Sequence, residues 1–265
     1  SASASYVGIA LLSTVVVFGA IVLVVVNSPG WPKVKASFFN VSEFRSTFPD
    51  IARHFVLDVK VFCILEVAIL ILALGIAVVR SLPGPIFFPL RALAIVYTDF
   101  FRGIPTILVI FLLGFGVPGL QLSAVPSSAL FWGGVGLVLV YTAYVTEVYR
   151  AGIESVHPSQ EAAARSLGLS RGKTMRYVVL PQAIRRVVPP LLNDFIGLQK
   201  DTALLGLLGP VEAFQRSNIS TNADFNYTPY LGAAALFIAI TIPLARLTDW
   251  LIVRDRRRQQ AGGMR

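Results

Sequence analysis

The sequence predicts an all-α protein that crosses a membrane several times. Of its 265 residues, 55% are hydrophobic and only 14% are charged, and the mean hydropathy is +0.71. These values lie outside the range of ordinary soluble domains. A helix needs about 20 apolar residues to cross a bilayer. Six segments meet that requirement, near residues 6–26, 55–80, 92–115, 128–150, 187–208 and 229–252.

The distribution of basic residues predicts the orientation of these spans. If the N-terminus lies inside, fourteen Lys and Arg residues fall on internal segments and five on external ones. The positive-inside rule therefore places both termini and the loop 150–185 in the cytoplasm. Membrane topology therefore explains the net charge of +9. A nucleic-acid-binding module is not expected, because it needs a basic face on a soluble domain.

The chain divides into three parts. Residues 1–54 are expected to hold an N-terminal transmembrane helix and an external connection, because the first span is uncharged and residues 27–54 are rich in Pro, Gly and mixed charges. The first span lacks the basic region of a signal peptide, so we expect it to be retained. Residues 55–253 form the transmembrane core, in which residues 209–228 are expected to be a polar external loop. Residues 254–265 form a basic cytoplasmic tail.

Span three carries a charged pair beside a helix-breaking sequence. Asp99 and Arg102 are three residues apart, which places them on one helical face, and Gly103 and Pro105 favour a kink. Charged groups within spans mark functional sites more often than surface charges do. The pair is expected either to line a path through the bundle or to form an internal salt bridge.

Spans two, four and five contain further polar residues. Glu66 lies near mid-membrane and predicts a buried contact, whereas Glu147 is expected either to contact a cationic ligand or to pair with Arg150 or Arg102. On span five, residues spaced seven apart make a polar stripe that should face the bundle interior, with path lining and structural pairing as alternatives. The stripe consists of Asn193, Asp194, Lys200, Asp201 and Thr202.

The cytoplasmic loop has the signals of a short helix. Residues 158–161 suit a helix start, Glu161 and Arg165 are spaced i, i+4, and Gly168 is a natural left-handed stop. Three alanines, 162–164, give this helix a thin side. Such a side fits a partner's groove, although a solvated interfacial helix has the same composition.

A second short helix is expected over 171–179, capped by Ser170 and ended before Pro181. Residues 168–174 look like a phosphate-binding loop, but three residues stand between the glycines where that motif needs four, and no strand precedes them. The chain is therefore not expected to bind ATP itself. His54 and His157 are isolated and Cys63 is the only cysteine, so neither a metal site nor a disulfide is expected.

The whole loop resembles that of a known family. Permease subunits of ATP-binding-cassette (ABC) importers carry E-A-A, then Gly, nine residues, and I-x-L-P. This chain has Glu161-Ala162-Ala163, Gly168 and Val178-Val179-Leu180-Pro181, with Val178 in place of Ile. The resemblance implies that residues 159–168 form a coupling helix that enters a cleft of a separate ATPase subunit. The residues it assigns to coupling are Glu161, Ala162, Ala163, Arg165, Gly168, Leu180 and Pro181.

Three further segments resemble the polar amino-acid branch of these permeases, the histidine, glutamine and glutamate permease family. They begin at Phe100 (F-F-R-G-T-P, with Ile for Thr), Tyr141 (Y-x-A-Y-x-x-E) and Asn193 (N-E-F-I-x-L-x-K-D-T-S-L, with Asp for Glu and Ala for Ser). The branch implies a five-helix type I permease core with one helix added in front. The substrate-path candidates are Asp99, Arg102, Glu147, Asn193, Asp194, Lys200, Asp201 and Thr202, with Glu147 favoured for the substrate ammonium group.

The resemblance also implies partners and a location. We expect a bacterial inner-membrane subunit working with two cytoplasmic ATP-binding subunits, a second permease subunit that is non-identical rather than identical, an extracytoplasmic amino-acid-binding protein and membrane lipid. ATP and Mg would bind the ATPase, no cofactor would bind this chain, and the chain would not be an enzyme. Glutamate or glutamine is the favoured cargo. The rival reading is a stand-alone channel or a membrane-embedded enzyme.

Overall fold

The computed structural model describes the backbone of residues 2–262 and the side chains of residues 6–254. Every regular element within that range is helical, so the predicted all-α class is confirmed. The predicted tail 254–265 lies, beyond Arg254, outside the described side chains. The α-helices are α1 (Ala2–Val26), α2 (Trp31–Phe38), α3 (Val41–Ser81), α4 (Phe88–Gly103), α5 (Thr106–Gly119), α6 (Ala129–Glu154), α7 (Pro158–Ser166), α8 (Arg171–Thr174), α9 (Leu180–Asp201), α10 (Ala213–Asp224) and α11 (Thr228–Gly262).

Several of these helices can cross a membrane. By length and composition, four stretches qualify, namely α1, α2 with α3, α6 and α11, and the bent pair of α4 and α5 makes a fifth if it is counted as one span. The predicted span 187–208 coincides with part of α9, which is more polar, and with the 3-10 turn Thr202–Leu208. The count of six spans and the cytoplasmic termini therefore stay predictions.

The bundle is built around α6, which packs against α3, α4, α5 and α9. Its core is apolar and includes Ile69, Ile110, Leu137 and Leu198, one from each of four helices. At Gly136 a Cβ atom would lie 3.3 Å from the Ile110 Cα atom, so glycine lets α5 and α6 approach closely. By contrast, the apolar window of α1 is 0% buried.

The predicted kink in span three is a sharp break. Helices α4 and α5 meet at an angle of 101°, so the single span expected over 92–115 is two helices. Ile104 is extended, with φ −102° and ψ 134°, as the residue before a proline tends to be. Pro105 has no amide hydrogen to continue the ladder. The turn leaves Arg102 at the end of α4, beside α6.

Two predicted connections contain more helix than expected. Helix α3 begins at Val41, well before residue 55, because the Asn40 side chain accepts a hydrogen bond from the Glu43 amide at 3.1 Å and so caps it. The predicted polar loop 209–228 contains α10, so that interpretation was wrong. The Glu212 carboxylate caps α10 by accepting from the Phe214 amide at 2.6 Å.

Helix α10 is held against α3 by polar contacts. Asp50 pairs with Arg216, and the Asp58 carboxylate accepts from the Ala213 amide at 3.2 Å. Burial, reinforced by the neighbouring Asp58 carboxyl, raises the pKa of Glu212 to about 8. These contacts supply the stability that an apolar stripe gives to other helices.

Candidate functional site

The loop with the E-A-A pattern folds as α7, on the side predicted to be cytoplasmic. The His157 ring accepts a hydrogen bond from the Ser159 amide at 3.2 Å and so caps the helix start. Gly168 has a φ of +83°, and the Leu169 amide donates to the Ala164 carbonyl at 3.2 Å. This is a Schellman ending, with Gly168 at the predicted stop.

The exposed side of α7 is thin. Ala164 is buried, while Ala162, Ala163 and Arg165 are exposed and Glu161 is half-buried. The helix rests on the turn formed by residues 175–179. A partner could therefore approach the backbone of α7 closely, and docking at this surface stays a prediction.

The second helix of the loop departs from its prediction. The Ser170 hydroxyl caps it as expected, accepting from the Lys173 amide at 3.4 Å, but the helix does not end before Pro181. It passes through the π-helical turn Met175–Val179 and continues as α9. The Leu180 amide donates to the Met175 carbonyl, and this wider turn accommodates a proline that has no amide hydrogen. The loop is thus joined to α9 without a break.

Glu147, on α6, is held by arginines from two helices. Its Oε2 atom accepts from Arg150 Nη2 at 2.8 Å and Nε at 3.1 Å, while its Oε1 atom pairs with Arg80 from α3. Arg80 also donates to the Thr98 hydroxyl at 3.1 Å. The structure therefore realises the pairing alternative for Glu147, and its contact with substrate stays a prediction.

Arg102 turns toward the same carboxylate. Its Nη1 atom lies 3.8 Å from Glu147 Oε2, and its guanidinium lies 5.9 Å from the centroid of the Tyr144 ring, within cation–π range. Asp99 is exposed. No ion pair between Asp99 and Arg102 occurs among the described residues, so the internal salt bridge is not formed in this structure.

These side chains line a cavity of about 440 Å³ between α6 and α9, a size typical of small-molecule sites. Its walls carry both positively and negatively charged side chains, which suits a ligand that has one positive and one negative group. The polar and charged lining residues are Arg102, Tyr144, Glu147, Arg150, Ser155, Arg186 and Asp194. Three of the predicted path residues are therefore brought together here.

Only some residues of the polar stripe predicted on span five face the interior of the bundle. Asp194 is half-buried in the cavity wall, and Asp201 accepts from the Tyr141 hydroxyl at 2.9 Å, whereas Asn193 and Lys200 are exposed. Thr202 is buried and its hydroxyl donates to the Gln199 carbonyl at 2.8 Å. The inward-facing members are thus the two aspartates and Thr202.

Sequence reasoning missed two arginines of this site. In the sequence, Arg80 and Arg186 contribute only to the positive charge that predicts the cytoplasmic side. In the structure, Arg80 pairs with Glu147 and Arg186 lines the cavity. Arg80 is separated from Glu147 by 67 residues, so no local spacing could reveal the pair. Arg186 lies one helical turn before Pro190, and its position on the same face of α9 as Asp194 is a signal the sequence contains.

Comparison with known proteins gives a consistent result. Residues 74–257 match the family model for a binding-protein-dependent transport system inner membrane component. The probable glutamine ABC transporter permease protein GlnM of Bacillus subtilis (strain 168) is 35% identical over 184 residues, 68% of this chain and 82% of the relative. The arginine transport system permease protein ArtQ of the same organism is 32% identical over 207 residues, 76% of this chain and 90% of the relative.

Solved structures agree with this fold. A crystal structure of an amino acid ABC transporter with histidines matches with a TM-score of 0.72 and 27% identity, covering 82% of this chain and 98% of that chain. The MetNI methionine ABC transporter in an inward-facing conformation matches with a TM-score of 0.62, covering 77% and 95%. At 18% identity, the second likeness shows the fold alone.

Proposed function

The chain belongs to the family of binding-protein-dependent transport system inner-membrane components, and on this premise we propose that it carries glutamate or glutamine through the membrane. As a permease subunit of an amino-acid ABC importer, it is a multi-pass protein of the bacterial plasma membrane, and ATP hydrolysis belongs to a separate subunit. We propose, in addition, which cargo it carries, which surface couples it to the ATPase and what kind of partner subunit it has.

The observation that carries the proposal is the continuous connection from α7 to the cavity. Helix α7 has an exposed, thin side and rests on the π-helical turn that leads directly into α9. Helix α9 then supplies Arg186 and Asp194 to the cavity wall. An ATPase that grips α7 would therefore move one wall of the cavity. This supports alternating access, in which nucleotide-driven closure of two ATPases shifts the bundle between outward-facing and inward-facing states.

The charges of the cavity support a zwitterionic amino acid as cargo. Arg102 and Arg186 can bind a carboxylate, and Asp194 can bind an ammonium group, whereas Glu147 is already engaged by Arg80 and Arg150. The surplus of arginine favours glutamate or glutamine over a basic amino acid. Two relatives whose names give glutamine agree with this preference. The relative whose name gives arginine supports the alternative, a basic amino acid as cargo.

A second permease subunit would complete the transport path, and we propose that it is not identical to this chain. Helix α1 and the segment up to α3 precede the family match, which begins at residue 74. A partner without such an extension would give an asymmetric pair. An extracytoplasmic amino-acid-binding protein would deliver the cargo on the opposite side from α7.

The docking surface can be tested by co-purification. Ala162→Trp fills the thin side of α7 and should abolish capture of the ATPase by the tagged permease. Ala124→Trp is the matched control, because Ala124 is also exposed but lies in the loop between α5 and α6, on the predicted external side. Equal capture by the two variants would contradict the docking proposal.

The cargo can be tested by uptake. Vesicles containing the full complex, the binding protein and internal ATP should take up radiolabelled glutamine, with unlabelled glutamate or glutamine competing and arginine not competing. Competition by arginine alone would overturn the proposed cargo. Uptake that continues without any ATPase would favour the rival reading of a stand-alone channel.

A further inference from the structure

Two carboxyl groups, one in the cavity wall and one behind it, each have a buried oxygen atom without a hydrogen-bond partner. Glu66, on α3, is only 8% exposed, and its Oε1 atom is buried with no hydrogen-bond partner. Asp194, on α9, lies at the same level, because Phe62, one turn before Glu66, and Phe195, next to Asp194, have ring centroids 6.4 Å apart. Its Oδ2 atom is also buried without a partner. Asp194 lines the cavity, whereas Glu66 lies behind it.

Such an arrangement does not persist with both groups ionised. A buried carboxylate without donors costs several kcal/mol, and two carboxyls that share a site keep one proton between them. The pair therefore requires either a proton or a cation. The unpartnered oxygen of Asp194 on the cavity side is where a cation with N–H donors can arrive.

No fixed cation of the protein meets this requirement. Among the described residues, the arginines nearest to the cavity are occupied, since Arg150 pairs with Glu147 and Glu154 and Arg186 donates to the Ser155 carbonyl. The titratable and charged groups around the pair are Tyr141, Tyr149, Glu147 and Arg150 on α6, Arg186, Lys200 and Asp201 on α9, and Arg102 on α4. The part of α11 that contacts α9 at Thr241 carries no titratable side chain.

We propose that Glu66 and Asp194 hold one proton when the cavity is empty and exchange it for the ammonium group of the cargo. This inference rests on the proposed function, because an ammonium group is the cation that an amino acid supplies. The carboxyl O–H bond breaks, the proton passes to water in the cavity, and the ammonium N–H groups donate to Asp194. The charge balances: a pair of charge about −1 becomes a pair of charge about −2 beside one positive charge.

The two residues have different roles in this exchange. Asp194 contacts the cargo, and Glu66 is a positioning residue that acts through Asp194 by making a second negative charge unfavourable until the ammonium group arrives. From α4, Arg102 can receive the cargo's carboxylate. The exchange would therefore orient a zwitterion between α4 and α9.

The exchange is tested by calorimetric titration of the full complex with glutamine, in buffers of different ionisation enthalpy. The parent should release about one proton per glutamine bound, and its affinity should fall about tenfold per pH unit on acidification where the pair is protonated. Glu66→Gln should bind glutamine without proton release or pH dependence, and Asp194→Asn should lose binding. Asp58→Asn is the matched control, since Asp58 is an equally buried carboxyl on α3 that contacts α10 instead, and it should behave as the parent does.

A second measurement needs no cargo. At neutral pH the infrared spectrum of the empty parent complex should contain a protonated-carboxyl band from Glu212, whose pKa is about 8, and a second such band that Glu66→Gln removes. Asp58→Asn and Glu212→Gln should both retain that second band. Absence of the second band in the parent, or proton release that persists in Glu66→Gln, would overturn the inference. A parent complex that shows the second band but binds neither glutamine nor glutamate would contradict the proposed cargo and leave the proton-holding pair standing.

Discussion

The sharpest test of the docking loop compares two of its glycines. Gly168 and Gly172 are both exposed, and a Cβ atom at either would meet no heavy atom within 4 Å. They differ in backbone conformation, because Gly168 has a φ of +83° and Gly172 lies within α8. Gly168→Ala should therefore destabilise the loop by about 1 to 2 kcal/mol, whereas Gly172→Ala should stabilise it by about 0.5 to 1 kcal/mol.

That difference has a measurable consequence for coupling. A loss of one to two kcal/mol lowers the ratio of folded to unfolded loop by a factor of about 5 to 30, which depopulates the folded loop when its two conformations are otherwise close in free energy. ATP-driven uptake and substrate-stimulated hydrolysis should fall in Gly168→Ala and be unchanged or slightly raised in Gly172→Ala, measured in vesicles with equal amounts of complex. Parental coupling in Gly168→Ala, or equal losses in both variants, would refute the reasoning.

Three further predictions concern stability. Arg80→Met leaves Glu147 with a single close partner and should cost about 1 to 3 kcal/mol, with a double-mutant cycle against Glu147→Gln recovering part of that loss in detergent unfolding. Ile110→Ala should cost about 2 to 5 kcal/mol, because Ile110 is 0% exposed, whereas Ile64→Ala, at a side chain that is 69% exposed, should change the unfolding midpoint little. For Glu212 the folded pKa is raised from 4.5 to about 8, so its contribution to stability is complete below 4.5 and is lost as the pH rises through about 8. Thermal unfolding should show that loss in the parent but not in Glu212→Gln, and a flat parent profile would contradict it.

The features that the sequence predicted well are those set by neighbouring residues. Gly168 ends α7 and Ser170 caps α8 because a positive φ and an N-terminal hydroxyl are local requirements. The break at Pro105 is local too, although its angle of 101° depends on how α4 and α5 pack against α6. Local chemistry thus fixed the position of the break but not its size.

The features that the sequence missed depend on contacts between distant segments. Helix α10 has no apolar stripe, so the sequence predicts a loop over residues 209–228. Its contacts with distant segments, among them Asp50 and Asp58 on α3, explain its formation. The partner of Glu147 that comes from α3, Arg80, is equally remote along the chain. The helix that runs through Pro181 was missed for another reason, since a π-helical turn relieves a clash that the usual rule assumes.

The packing of α6 on α9 explains how the docking loop and the cavity can act together. Gly152 of α6 receives the side chain of Val187 from α9, and a Cβ atom there would collide with that valine. This contact lies between the π-helical turn and Asp194, at the same level as the cavity lining from α6. If an ATPase displaces α7, we expect the displacement to pass to α9 as a movement about this contact. The distance between Arg150 of α6 and Asp194 of α9 would change with it, and the affinity of the cavity for a zwitterion would change in turn.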